Sequence, residues 1–389
     1  MGFARRAASI GVALALTAVL VVPTAAGEPT VGLAASLDTA VAAQLAELGV
    51  PGAIVGLSIP GEIDYLDAVG TQDRNTGAPM SVDEHWRIGS VTKTFTGTAV
   101  LQLVDRGLIR LSDPISRYVD GVPSGEVITL DLLGRMRSGL YDYVGDAALL
   151  KRLYDDAPDG PDAFAFTSRE LLDVAFAHPP NFPPGAQYQY SNTNLVLLGM
   201  VVERVTGLSL GDYLARNVFG PIGLTQTSYP ANGLLQQPFS HGYTHAPDGA
   251  LLDATLWNPS WADAAGKIVS NYADLKLWAA AVGTGALLSP ESQASRLRTT
   301  EIIPGGVSYG FAIMNANGWI GHNGTIPGYT TVVLYLPESD ATLVVMTNSD
   351  EPQDHAAGRL ATTVTEIATP DHVYRLSPPP SASPSQPGN

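Results

Sequence analysis

Cysteine is absent from all 389 residues. That excludes disulfides, thiolate nucleophiles, cysteine metal ligands and a lipid-modified cysteine anchor. Basic residues are scarce as well. The chain has 21 Lys and Arg against 37 Asp and Glu, a net charge of −16 spread along its length. That balance argues against nucleic-acid binding and against docking on anionic lipid. Long apolar runs are also lacking after the N-terminus, so no membrane-spanning helix and no membrane anchor are expected. His241 and His245 are four apart, like a zinc pair on a helix, but Gly242, Pro238 and Pro247 oppose a helix and no Glu follows His241. No metal or cofactor is therefore expected, and His85, His178, His355 and His372 read as structural or surface residues.

What is present begins with an export signal. Arg5 and Arg6 precede an apolar run from Ile10 to Val22, and Thr24-Ala25-Ala26 ends it with small residues. Residues 1–26 thus read as a secretory signal peptide. Export without disulfides points to a secreted bacterial protein with a core large enough to need no staples. Its 45% hydrophobic content is ample for such a core. The Ser/Pro-rich tail, 377–389, has no large apolar residue and reads as disordered.

Between these ends the hydrophobic period changes twice. Leu37 to Leu48 reads as a helix, and Ala53–Ile59 and Ile63–Val69 as a hairpin around Pro60-Gly61. Helices are expected over Thr92–Arg106, Asn192–Val205 and Leu210–Val218, with mixed, mostly helical structure from Leu132 to Ala177. Thr330–Leu336 and Thr342–Thr347 read as a second hairpin, followed by a last helix from His355 to Ile367. Strands at both ends and helices in the middle imply one antiparallel sheet built from the two ends of the chain, around an inserted helical region.

The chemistry is concentrated at Ser90-Val91-Thr92-Lys93. On a helix, positions i and i+3 share a face, so the lysine amine can reach the serine hydroxyl. Serine needs a nearby base, and a buried lysine of lowered pKa can serve, alone or through a relay. At a helix start, free backbone N–H groups can hold an oxyanion. Alone, the pattern also fits a capping serine with a surface lysine. Tyr190-Ser191-Asn192 precedes the next strong helix and follows a turn at Pro183-Pro184-Gly185. Its tyrosine can exchange protons beside an ammonium, and its amide can bond a substrate. Gly321-His322-Asn323-Gly324-Thr325 precedes a strong strand, and Trp261-Ala262-Asp263-Ala264-Ala265-Gly266 reads as a tight loop able to wall a pocket.

Ser90-x-x-Lys93, Tyr190-x-Asn192 and His322-x-Gly324, in that order, resemble the three motifs of the serine β-lactamase and penicillin-binding protein superfamily. The flanks Arg87 to Phe95, Arg137-Ser138-Gly139-Leu140, Tyr188 to Asn194 and Gly321 to Gly328 are similar too, and the likeness runs from about Leu37 to Ile367. Tyrosine in the second motif and histidine in the third resemble the branch of class C β-lactamases and secreted Streptomyces-type D-alanyl-D-alanine carboxypeptidases. The resemblance implies an α/β (α+β) fold with a five-stranded antiparallel sheet flanked by helices. The α/β part would cover about 36–110 and 255–370, and an all-helical insert about 111–254, within a hydrolase domain of 27–376.

It also implies roles. Ser90 is the acylated nucleophile, Lys93 its partner and candidate base, and Tyr190 a proton shuttle. Asn192 binds the substrate amide, His322 positions the tyrosine or the substrate, and Trp261 walls the pocket. Asn323, Gly324 and Thr325 line the site, and the N–H groups of Ser90 and Thr325 form the oxyanion hole. The expected activity is that of a monomeric D-alanyl-D-alanine carboxypeptidase acting on cell-wall stem peptide. A β-lactamase, an esterase or peptidase, and a non-catalytic cell-wall peptide or β-lactam binder are the alternatives. Two departures bear on substrate: Asn323 stands where threonine is usual, and no arginine occurs from Tyr309 to Gly321.

Overall fold

The computed structural model describes residues 28–155, 165–303, 306–351 and 355–376. The expected signal peptide and the Ser/Pro-rich tail lie outside the described residues. A nine-stranded antiparallel sheet carries the fold. In chain order its strands are β1 (Gly52–Ile59), β2 (Ile63–Asp73), β3 (Ala78–Pro79), β4 (Thr300–Ile303), β5 (Val307–Tyr309), β6 (Met314–Ala316), β7 (Trp319–Ile326), β8 (Tyr329–Leu336) and β9 (Ala341–Thr347). Their spatial order is β3-β2-β1-β9-β8-β7-β6-β5-β4. The four strands read from the sequence are β1, β2, β8 and β9, and the fifth long strand is β7, where Gly321–Thr325, expected to precede a strand, itself pairs with β8. The other four, of two to four residues each, extend the two edges.

Both predicted hairpins form. Ile59 pairs with Ile63 across Pro60-Gly61, where Gly61 takes a φ of 79° that favours glycine. Leu336 pairs with Ala341 across the second turn. The ends of the chain meet where β1 pairs with β9, from Ala53 opposite Thr347 to Ser58 opposite Thr342. All residues of β8 and β9 are buried, because helices cover both faces of the sheet there. Helices α1 (Glu28–Leu48) and α5 (Ala356–Ala368) pack together, and α4 (Tyr272–Thr284) packs on β8 and β9. Helix α1 starts nine residues earlier than expected. Pro29 falls in its first turn, where a missing N–H costs no helical bond.

Two further helices bring the site to the sheet. Helix α2 (Thr92–Asp105) is buried from Thr92 to Leu103 and packs on both β7 and helix α3 (Thr193–Thr206). Trp278 of α4 fixes α2 by stacking on Phe95 at 3.8 Å and donating its indole N–H to Thr94 Oγ1 at 2.8 Å. Helix α3 ends at Gly207, whose φ of 70° gives the left-handed cap that glycine supplies. The expected helix from Leu210 continues to Ile222 but opens into a wider π turn over Ala215–Phe219. The Trp261 segment is not a plain loop: Pro259–Ala262 forms a 3-10 turn and Asp263–Gly266 one turn of α-helix. Of the histidines set aside in the sequence, His241 pairs with Asp253, His178 with Asp146 and His372 with Glu338, while His355 caps α5.

Candidate active site

Ser90 sits in a 3-10 turn, Gly89–Val91, immediately ahead of α2. The approach is held on one side by a short ladder, Trp86 opposite Ser270 and Arg87 opposite Val269. On the other side the turn presses on β7. A methyl at Gly89 would stand 2.8 Å from Thr325 N, and one at Gly324 would stand 2.1 Å from Ile88 O and 2.9 Å from Ser90 N. Glycine at both places lets the two backbones touch, and Ser90 and Thr325 line the same pockets.

One helical step on, Lys93 is fully buried. Its Nζ lies 2.8 Å from Ser90 Oγ, 2.7 Å from Asn192 Oδ1 and 2.8 Å from the carbonyl oxygen of Ala265. Burial lowers its pKa to about 7, although the carboxylate of Asp142 opposes that shift. The three partners are not equivalent. A carbonyl oxygen can only accept, and Asn192 is turned so that its oxygen faces Lys93. Its Nδ2 donates to the Asp142 carboxylate, at 3.0 Å to Oδ2. When Lys93 is neutral it keeps two N–H bonds, and Ala265 and Asn192 take both. Its lone pair then points at Ser90, the one partner able to donate.

Tyr190 donates to Ser90 Oγ at 2.8 Å, and Lys93 Nζ lies over its ring, 4.9 Å from the centroid. Burial raises its pKa well above 10, so the phenol stays protonated. The segment carrying Tyr190 and Asn192 is braced by 136–142. Gly185 N donates to Arg137 O at 2.8 Å, Gln189 N to Met136 O at 2.9 Å, and Ser138 Oγ to Asn194 Oδ1 at 2.6 Å. Asp142 completes the brace by accepting from Asn192 N at 3.1 Å.

All nine expected site residues come together around Ser90. Asn192 accepts from Lys93 and donates from Nδ2 to Asp142, which orients the lysine, and Nδ2 carries a second N–H on a residue that lines the pocket at Ser90. One expectation changes: the ring nitrogens of His322 face Tyr309 and Asn323 and not Tyr190, although His322 lines a pocket at Ser90. Its Nε2 lies 3.1 Å from Tyr309 OH, its Nδ1 faces the carbonyl oxygen of Asn323, and its ring centre is 6.2 Å from that of Tyr190. Burial and then the charge of Lys93 push its pKa down to about 3, leaving a neutral imidazole. With Nδ1 facing a carbonyl, Nε2 accepts from the Tyr309 hydroxyl.

Two pockets open on Ser90. One, of about 270 Å³, is bounded by Trp261, Tyr143, Leu150, Leu153 and Pro327. The other, of about 380 Å³, is bounded by Tyr188, Tyr190, Tyr309, Ile302, Met314 and His322, with Asn323, Gly324 and Thr325 on its floor. No Lys or Arg is among the described residues that line either pocket. Of the two arginines that precede Tyr309–Gly321 most nearly, Arg296 is turned into the core and donates to Thr94 O and Thr98 Oγ1, and Arg298 donates to Ser295 Oγ. Asp142 and Tyr309 were not singled out from the sequence. Asp142 lies two residues past the family-like run Arg137–Leu140, which was the available signal.

The beta-lactamase family model matches residues 37–365 of this chain. Penicillin-binding protein 4 of Amycolatopsis lactamdurans is 29% identical over 321 residues, covering 77% of this chain and 81% of that protein. Esterase EstB of Burkholderia gladioli is 35% identical over 224 residues, 55% of this chain and 56% of the esterase. Among solved structures, a D-stereospecific amidohydrolase from Streptomyces sp. superposes with a TM-score of 0.74 at 31% identity, covering 82% of this chain and 94% of that one.

Proposed function

This chain belongs to the beta-lactamase family and is a serine hydrolase, and from that premise we propose that it is an exported amide hydrolase selective for a D-configured acyl residue. The observation that carries the chemistry is Ser90 Oγ held between a buried lysine with a pKa of about 7 and a protonated tyrosine. Ser90 Oγ attacks the substrate carbonyl carbon while its proton passes to the lone pair of Lys93. The amides of Ser90 and Thr325 hold the oxyanion. Tyr190 gives its proton to the leaving nitrogen and recovers one from Lys93, so the amine leaves neutral. Water then attacks the ester by the same route reversed, releasing the acid and restoring Ser90. The signal-like N-terminus supports export.

The preference for an amide without a free terminal carboxylate rests on the pockets. A terminal carboxylate in either one would meet no Arg or Lys on its lining. Likeness to a D-stereospecific amidohydrolase supports the choice of hand. A second reading, D-alanyl-D-alanine carboxypeptidase, is favoured by the penicillin-binding relative. The test compares hydrolysis of D- and L-phenylalanine amide and of a D-alanyl-D-alanine peptide, with Ser90 labelled by a phosphonate and located by mass spectrometry. Faster turnover of the D-amide is expected. Preference for the L-amide, or turnover of the peptide alone, overturns the proposal, and a long-lived penicillin adduct at Ser90 favours the second reading.

A further inference from the structure

The Trp261-side pocket is apolar over most of its wall, with one ionisable acid in it, Asp350. This residue lies just beyond β9, where its N–H meets Tyr243 O at 3.4 Å. Its Oδ2 accepts from Thr244 Oγ1 at 2.9 Å. Its Oδ1 is closed off from solvent and has no partner at hydrogen-bonding geometry. Burial raises the pKa to about 6, opposed by Thr244 and by the backbone amide of Gly328 and reinforced by the neighbouring Glu351. At neutral pH the group is therefore mostly ionised. Tyr154, on the helix Ala147–Asp155, faces the same charge, since Asp350 and Glu351 both help to raise its pKa.

An ionised carboxylate in a mostly apolar wall, eased by Thr244 and the Gly328 amide but with no Lys or Arg among the described lining residues, carries a charge that no cation there balances. The missing cation is one that a ligand can supply. Amino-acid amides carry such a group: an α-ammonium with a pKa of about 8 is protonated at pH 7. Its partner needs to lie within the same pocket as the nucleophile, and Ser90 and Asp350 line one pocket.

We propose that the Trp261-side pocket is the acyl subsite for an amino-acid residue with a free α-ammonium, and that Asp350 is the specificity-determining residue that reads this charge. The inference rests on the amide-hydrolase reading above and narrows it to an aminoacyl substrate with an unblocked N-terminus. Apolar walls from Leu150, Leu153 and Trp261 then receive the side chain, and a blocked or acidic acyl group is disfavoured.

The experiment uses Ser90→Ala protein, which cannot turn the ligands over. Calorimetry at pH 7 compares D-phenylalanine amide with 3-phenylpropanamide, its equivalent without the ammonium. The ammonium-bearing ligand is expected to bind about tenfold more tightly or better. Adding Asp350→Asn is expected to close that gap. Equal affinities in Ser90→Ala, no binding of either ligand, or a gap that persists in Asp350→Asn each overturn the inference. The ligand pair alone suffices should the double variant not fold. Turnover by the native enzyme separates the two proposals. A preserved gap without turnover of D-phenylalanine amide sinks the amide-hydrolase reading, whereas turnover without a gap sinks the role of Asp350.

Discussion

Arg87 lies three residues before Ser90 and Lys93 three residues after it, and both are cations taken out of water. Their fates differ. The Arg87 Nη2 group donates to three carbonyl oxygens, of Gly233 at 2.7 Å, Thr255 at 2.9 Å and Trp257 at 2.8 Å. Burial lowers its pKa only to about 10, so it stays charged at neutral pH. Lys93 also meets two groups that can only accept, but its third partner is a hydroxyl, and its pKa falls to about 7. Burial by itself thus does not make a base. What does is an amine able to lose its proton, held so that the freed lone pair faces a group with a proton to give. Arg87 ties the entering strand to the loops at 233 and 255–257, while Lys93 is placed to exchange a proton with Ser90.

The contrast can be broken in four ways. Lys93→Arg keeps a buried cation but forbids its deprotonation. Acylation by a chromogenic ester should fall by about 10²–10⁴-fold, and a near-native rate would remove the lysine as base. Arg87→Met strands three carbonyls, so denaturant unfolding should show a loss of about 3–5 kcal/mol. The folded fraction should keep the native pH dependence. A variant as stable as the native protein would mean that water already serves those carbonyls.

Lys93→Met addresses stability from the other side. The native pKa lies below the unfolded value of about 10.4, so the unfolded chain binds more protons between pH 7 and 10. The cost of burying Lys93 is full below pH 7 and fades as the pH rises toward 10. Relative to the native protein, Lys93→Met should therefore lose on the order of 2–3 kcal/mol of stability between pH 6 and pH 9, whatever the constant cost of stranding the Ala265 and Asn192 oxygens. A difference that does not change with pH would show that the ammonium is well solvated. The smallest change is Asp142→Asn. The Asp142 charge raises the Lys93 pKa, so its loss should move the rising limb of the acylation profile to lower pH, by on the order of one unit. A limb that stays in place would mean that Asp142 acts only as a brace.

Much of this was legible in the sequence for a physical reason. The hairpins at Pro60-Gly61 and at 337–340 and the helix ending at Gly207 are set by turn residues flanking strongly patterned runs. Ser90 and Lys93 are neighbours by helical geometry alone, so their contact is a local property. The edge strands β4, β5 and β6 were not legible. Each is three or four residues long, too short for a period to emerge, and pairs only because β7 offers an edge. Partners set by tertiary packing were equally hidden. Asp142 reaches Asn192 across 50 residues, and Tyr309 claims His322 from the far end of a short strand. Those two contacts give Asn192 and His322 partners that no local pattern could show, whereas the approach of Lys93 to Ser90 follows from their spacing.

The central claim is that Lys93 is a neutral amine aimed at Ser90 over the working pH range. The direct measurement is the second-order rate of Ser90 phosphonylation by a fluorophosphonate from pH 5 to 9.5, read by intact mass. The rate should rise with pH through a single midpoint near 7 and then level off, because deprotonated Lys93 accepts the Ser90 proton. A rate that is flat across the range, or still climbing toward a midpoint near 10, would contradict the account.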